Sequence, residues 1–208
     1  MSADSDEDET NGLDVTACER CPDLCDSRNR IVNGTGPEDA AVVFVGEGPG
    51  EQEDREGEPF VGRSGSVLDD ALRDAGLARR DVRITNCVRC RPPENRDPHT
   101  DELDNCREYL EAEIRGIDPE VVVSLGKVPS QHLLGRDVAV TKEAGEIEEV
   151  RFAGAAHRVL VCVHPAATLY DASQQETFRR TIATAAEFGG AADAGGEGGS
   201  GQSRLDGF

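Results

Sequence analysis

Long apolar runs, lysines and aromatic residues are all scarce in this chain of 208 residues. No stretch of 18 consecutive apolar residues occurs, so no membrane-spanning helix is expected. The opening Met1-Ser-Ala-Asp-Ser-Asp-Glu-Asp-Glu lacks the basic flank and apolar core of a secretory signal. The sequence therefore reads as that of an intracellular, cytoplasmic protein. Only Lys127 and Lys142 are lysines, and 42 acidic residues against 22 basic ones leave a formal charge of −20. Such a balance argues against a generic electrostatic binder of nucleic acid, because neutralising phosphates takes a basic surface, overall or local. Val, Ile and Leu still recur in compact runs, which indicates a folded core beneath an acidic surface. Carboxylates stay hydrated and their repulsion is screened at molar salt, so the composition suits a halophile's cytosol; an acidic protein of ordinary surroundings fits it too.

What the chain does have is cysteine. Seven cysteines stand at Cys18, Cys21, Cys25, Cys87, Cys90, Cys106 and Cys162, an odd number that a disulfide framework explains poorly. Their clustering points to metal. Cys18-x-x-Cys21 and Cys87-x-x-Cys90 have the spacing of two zinc knuckles, although the gap between them is far longer than in a compact zinc ribbon. Four thiolates scattered along a chain also suit an iron–sulfur cluster, and spacing alone leaves both readings open.

The length fits one domain between two tails. Residues 1–17, acidic and nearly devoid of apolar side chains, are expected to be disordered; 18–188 form the domain; 189–208 begin as a Gly-rich tether. Within the domain, Ala41–Val45, Val82–Ile84, Val121–Leu125 and Val159–Val163 are short and rich in β-branched residues, as buried strands of a parallel sheet are. Helical spacing appears at Val67, Leu68, Ala71, Leu72 and Ala75 behind Ser64, and at Leu103, Cys106, Leu110 and Ile114 behind Thr100. Further helices are expected after Val128 and over 174–188. Strands alternating with helices predict a three-layer α/β/α domain around a mostly parallel four-stranded sheet.

The residues just past each strand matter most, because an open parallel sheet binds ligands outside the carboxyl ends of its strands. Strand one runs into Gly46-Glu47-Gly48-Pro49-Gly50, strand two into Thr85-Asn86, strand three into Gly126 and strand four into His164-Pro165. A carboxylate, an amide and an imidazole are thus predicted to converge. The glycine loop completes neither a phosphate-binding Walker sequence nor a dinucleotide fingerprint, so nucleotide hydrolysis has weak support.

Taken together, Gly46-Glu-Gly-Pro-Gly-Glu-Gln-Glu-Asp54, Pro59-Phe-Val-Gly62, Ile84-Thr-Asn86, Cys90-Arg-Pro-Pro-Glu-Asn-Arg96 and His164-Pro-Ala-Ala167 closely resemble the family 4 uracil-DNA glycosylases, over about residues 18–185. The resemblance implies removal of uracil from DNA by base flipping and hydrolysis. It implies a [4Fe–4S] cluster on Cys18, Cys21, Cys90 and Cys106, which leaves Cys87 and Cys162 as buried thiols; Cys25 departs from the family pattern and competes with Cys21 as a candidate ligand. It places Phe60 under the flipped base, Asn86 at the uracil edge, Glu53 where a thymine methyl would collide, and His164 at O2. Gly48 stands where better-known family 1 enzymes carry a water-activating aspartate, which leaves Glu47 to place water or stabilise the sugar cation. The chemistry agrees: an amide offers a donor and an acceptor to O4 and N3–H, and a donor at O2 stabilises charge that appears only in the transition state.

Arg79, Arg80, Arg83, Arg89, Arg91 and Arg96 form the densest basic stretch and the candidate phosphate-facing patch, with Arg179 and Arg180 as further phosphate contacts. Leu169 and Tyr170 are candidates to fill the gap left by the extruded base. At the terminus, Gln202-x-x-Leu205-x-x-Phe208 resembles a sliding-clamp interaction box lacking its second aromatic residue. A monomer is expected. Readings of another class are a noncatalytic iron–sulfur DNA-binding or redox module, which needs no base-edge amide, and a metal-dependent phosphoesterase, which would lose activity to a chelator.

Overall fold

The computed structural model describes residues 10–190. In chain order the elements are β1 (Thr10–Asn11), β2 (Asp14–Val15), α1 (Pro22–Ser27), β3 (Val42–Gly46), α2 (Glu51–Glu56), α3 (Arg63–Asp74), β4 (Arg83–Asn86) and α4 (Thr100–Ile117). Then come β5 (Val121–Leu125), α5 (Lys127–Leu134), α6 (Val140–Glu143), β6 (Ile147–Phe152), β7 (Ala155–Cys162), a 3-10 turn (Pro165–Leu169) and α7 (Ala172–Phe188). The central sheet has the order β4-β3-β5-β7-β6, parallel except at β6. Its middle strands are buried on both sides, and alternate residues serve different layers. Val42 and Phe44 pack with Leu68 and Leu72 of α3 and Phe178 and Ile182 of α7, whereas Val43 and Val45 pack with Leu110 and Ile114 of α4 and Leu133 of α5. That two-sided burial explains why these strands read as unbroken apolar runs.

The three-layer α/β/α architecture is as expected, with one strand more than the four foreseen. β6 pairs antiparallel with β7 as an edge strand; half of its residues are exposed, Val150 is partly covered and only Phe152 is buried. The helix over Arg63–Asp74 is capped by the extended backbone of Gly62, not by Ser64, which lies inside its first turn. The amino-terminal boundary also moves. Residues 10–15 form a hairpin, and Val15 is buried and held through both its backbone groups by Asn33, at 2.9 and 3.1 Å. No helix of the described residues is long and apolar enough to cross a membrane.

Candidate active site

β3 and β4 end in register, with Gly46 opposite Asn86, and the pairing continues past the strands through Cys87 N–H to Gly46 O at 2.9 Å and Val88 N–H to Glu47 O at 3.1 Å. Gly46 has to be glycine. A Cβ there would stand 2.3 Å from Asn86 Oδ1 and 2.5 Å from the Phe60 ring. Phe60 is buried and adopts φ 55°, a conformation that bulky residues avoid. Its backbone is held by Arg79, whose Nη1 donates to Phe60 O at 3.0 Å and whose Nη2 donates to Pro59 O. Arg79 therefore secures the aromatic loop instead of facing phosphate. Its guanidinium also meets Asp69 at 2.9 Å.

These residues enclose a cavity of about 180 Å³ lined by Glu47, Gly48, Gly50, Glu53, Phe60, Ser64, Asn86 and His164. All five residues assigned to the base pocket by sequence line it, and Glu47 joins them. His164 follows β7 by two residues and sits 6.0 Å, centroid to centroid, from Phe60. Its Nδ1 accepts the Ala166 N–H at 3.1 Å, so a neutral ring carries its proton on Nε2. Burial lowers the His164 pKa, partly opposed by Glu53, which keeps that ring neutral and donating near pH 7. Asn86 is 3% exposed, and its Oδ1 is buried without a hydrogen-bond partner among the described residues. An unpartnered buried acceptor costs about 1–3 kcal/mol, and binding sites are where such an atom can persist, because the ligand supplies the donor. Glu53 Oε1 accepts the Gly62 N–H at 3.2 Å, which fixes its carboxylate against the Phe60 loop. Glu47 is pushed up to about 7, first by burial and then by the Asp97 carboxyl, with which it shares a hydrogen bond.

Residues 33–186 match the uracil DNA glycosylase superfamily. The chain belongs to that family. A type-4 uracil-DNA glycosylase of Archaeoglobus fulgidus is 39% identical over 169 residues, covering 79% of this chain and 84% of that protein. One from Thermotoga maritima is 46% identical over 132 residues, 63% of this chain and 68% of its own length. One from Pyrobaculum aerophilum is 37% identical over 183 residues, 86% and 92% of the two chains.

In this superfamily member the cysteines draw together from three parts of the chain. Burial pushes the Cys90 thiol up to about 11 and Cys106 up to about 12; Cys18 and Cys25 lie near enough to Cys90, and Cys18 and Cys90 near enough to Cys106, to add to the rise. Cys21 is raised by burial too, with Cys18 and Cys25 as neighbours. Cys25 Sγ turns to the Cys18 carbonyl at 3.6 Å. Among the described residues no group of three or more cysteine, histidine or acidic side chains stands close enough together to hold a metal ion. Cys87 and Cys162 are fully buried thiols in the sheet.

The arginine stretch is the main correction. Arg89 is 2% exposed and pairs with Glu113 at 2.8 Å, and Arg83, 4% exposed, reaches the other Glu113 oxygen at 2.8 Å. Neither can face phosphate. Arg96 spends both terminal nitrogens on Glu102, at 2.8 and 2.6 Å, and Arg91 donates to Asn95 at 2.8 Å. Arg179 of α7 meets Asp74 of α3 at 3.2 Å, and Arg180 is exposed beside it. Leu169 and Tyr170 are exposed large side chains, at 38% and 82%, at the end of the turn that begins with His164.

Three residues near the site were missed in the sequence: Ser64, read there only as a helix start, lines the cavity, and Asp97 and Lys127 stand beside it. Asp97 is distant from Glu47 along the chain, and nothing in its surroundings announces the contact. Lys127 had a signal: it is one of two lysines and follows Gly126 at the end of β5, and it lines a second cavity that shares His164. Gln202, Leu205 and Phe208 lie outside the described residues.

Proposed function

We propose that the chain is a uracil-DNA glycosylase that flips uracil out of DNA and hydrolyses its N-glycosidic bond, leaving an abasic site for base excision repair. The unpartnered Oδ1 of Asn86 carries this reading. It accepts from uracil N3–H while the amide N–H₂ donates to O4; cytosine presents an acceptor at N3 and a donor at N4, the wrong pattern for the same amide. Phe60 stacks against the base, and Glu53 and its loop close the side where thymine carries its methyl. His164 donates from Nε2 to O2 as the bond breaks and the base becomes an anion. Such a donor is worth about 2.7–4 kcal/mol. Glu47, in its ionised form, places water or balances the sugar cation, and Gly48 leaves room for that water.

A [4Fe–4S] cluster on Cys18, Cys21, Cys90 and Cys106 belongs to the same reading. The donor set fits in kind: four thiols come from three parts of the chain, and Cys18 lies near enough to Cys21, Cys90 and Cys106 to raise each of them. When bound, the cluster would supply a clasp joining the N-terminal segment, the exit of β4 and α4, with no redox step in catalysis. Cys25 stands beside the set as the alternative ligand to Cys21.

DNA would cross the mouth of the cavity, with Leu169 and Tyr170 entering the gap in the stack and Arg91, Lys127, Arg179 and Arg180 meeting phosphates. The Gln202-Leu205-Phe208 motif would tether a monomeric enzyme to a sliding clamp, which titration calorimetry against a clamp would test through the loss of binding on Leu205→Ala. The deciding experiment is a single-turnover assay on end-labelled DNA with one uracil, beside cytosine and thymine controls, run at low and at molar KCl with alkali to reveal abasic sites. Cleavage confined to the uracil strand supports the enzyme; a folded, cluster-loaded chain that cleaves nothing leaves only a binding or redox module.

A further inference from the structure

Two side chains that are not themselves cysteine ligands tie the cysteine-bearing segments to one another. Arg28, just past α1, forks between two of them: Nη1 donates to Cys90 Sγ at 2.9 Å and Nη2 to the Cys18 carbonyl at 2.7 Å. One planar guanidinium thus joins the N-terminal segment to the exit of β4. Asn105 makes the matching link from α4, one residue before Cys106. Its Nδ2 donates to the Arg20 carbonyl at 3.2 Å and to Cys21 Sγ at 3.5 Å. Arg20 answers by donating from Nη1 to Asn105 O at 3.2 Å, pairs with Glu108, and lies 4.8 Å from the centre of the Tyr109 ring. Every segment that carries a candidate ligand is therefore held to another by a hydrogen bond that starts or ends at a cysteine or its neighbour.

Outer contacts of this kind set how tightly a metal centre is held, and their loss commonly costs 10–100-fold in affinity. For iron–sulfur clusters, hydrogen bonds to the sulfurs and nearby charge also move the reduction potential. Four thiolates make such a centre anionic, and this chain carries a net −20, so a cation at ligand distance is unusually consequential here. We propose that Arg28 and Asn105 are positioning residues of the cluster: they bring Cys18, Cys21 and Cys90 together before assembly and donate to ligand sulfurs afterwards. Arg28 carries the larger share, because its hydrogen bond is charge-assisted and bridges two segments. The inference rests on the cluster reading above and assigns residues that reading does not need.

The test uses the full chain purified without oxygen, as wild type, Arg28→Gln, Arg28→Lys, Asn105→Ala and the exposed control Arg80→Gln. Iron and acid-labile sulfide, bleaching of the visible absorbance in a ferrous chelator, and the reduction potential by protein-film voltammetry are measured. The expected result is four irons in wild type and control, bleaching about 10–100-fold faster in Arg28→Gln with a lower potential, and a smaller acceleration in Asn105→Ala. Arg28→Lys should keep most of the potential, since the charge stays, but bleach faster, since the fork is gone. Wild-type bleaching and potential in Arg28→Gln overturn the proposal. Should that variant not fold, wild-type bleaching in Arg28→Lys overturns it equally. A wild-type chain that holds no iron and sulfide overturns the cluster reading itself, and this inference with it.

Discussion

At the carboxyl end of β4, Asn86 keeps a buried oxygen with no partner among the described residues; on the same strand and just beyond it, Arg83, Thr85 and Arg89 converge on Glu113 and leave neither of its oxygens idle. Both centres are buried and polar, and both lie within seven residues of β4 and its exit. In the second, two guanidiniums and a hydroxyl share one carboxylate and occupy both its oxygens, so the group holds α4 against the sheet. In the first, the fold has left a hydrogen bond unmade at the wall of a cavity. Thr35, His132, His157 and Gln174 also keep a buried polar atom without a partner among the described residues, so what marks Asn86 is the unmade bond together with its place in the wall of the cavity that holds Phe60 and His164.

The largest effect should come from breaking the completed centre. Glu113→Gln leaves two buried guanidinium groups without their counter-charge, a change that costs about 3–5 kcal/mol in comparable buried pairs. For a chain of this size that lowers the melting temperature by on the order of 10 °C. The uracil-excision rate per folded molecule should stay near wild type, so calorimetry and single-turnover kinetics must diverge. If the rate collapses while the melting temperature holds, the division between the two centres is wrong.

His164→Ala strikes the other side of the contrast. Loss of a donor aimed at the developing anion should lower the single-turnover rate by about 10²–10³ with little change in DNA affinity or melting temperature. Asn86→Leu is the sharper variant, because it deletes the unmade hydrogen bond along with the amide. Melting temperature should hold or rise, since no buried acceptor is left unpaired, while preference for uracil over cytosine falls by about tenfold or more. A marked drop in stability would mean that the Asn86 amide is structural after all.

Sequence reasoning reached the pocket but not the Glu113 cluster, for physical reasons. Strand ends are legible because β-branched runs stop at Gly46, Asn86 and near His164, and the sheet's geometry brings those ends to one edge whatever the helices do. The fate of an arginine is not legible, because it depends on a partner from another element: Glu113 lies 24 and 30 residues from Arg89 and Arg83 and reads, in the sequence, as one more acid on an amphipathic helix. β6 escaped for a related reason. Its burial alternates and only Phe152 is buried, so Ile147-Glu-Glu-Val-Arg-Phe lacks the apolar run that marked the interior strands. The hairpin over residues 10–15 escaped because only two apolar side chains, Leu13 and Val15, and one amide, Asn33, anchor it within an acidic segment.

A third polar group tests the comparison from between the two extremes. Glu113 is buried against two cations, whereas Glu47 is half-buried beside Asp97, which adds to the effect of burial and raises it from an ordinary 4.5 to about 7. Two carboxyls can share a hydrogen bond only while one keeps its proton. The protonated form of Glu47 therefore favours the folded chain below about 4.5, and that contribution disappears as the pH rises through about 7. Glu47→Gln should accordingly gain melting temperature relative to wild type between pH 5 and pH 8. If ionised Glu47 serves the reaction, the wild-type rate rises through about pH 7. Asp97→Asn replaces an acid by an amide donor, so the same rise should move to lower pH, only part of the way to an ordinary carboxylate because burial, the larger cause, remains. A pH–rate profile that Asp97→Asn leaves in place would detach Asp97 from Glu47, and a profile flat across pH 5–8 in wild type would remove Glu47 from the reaction.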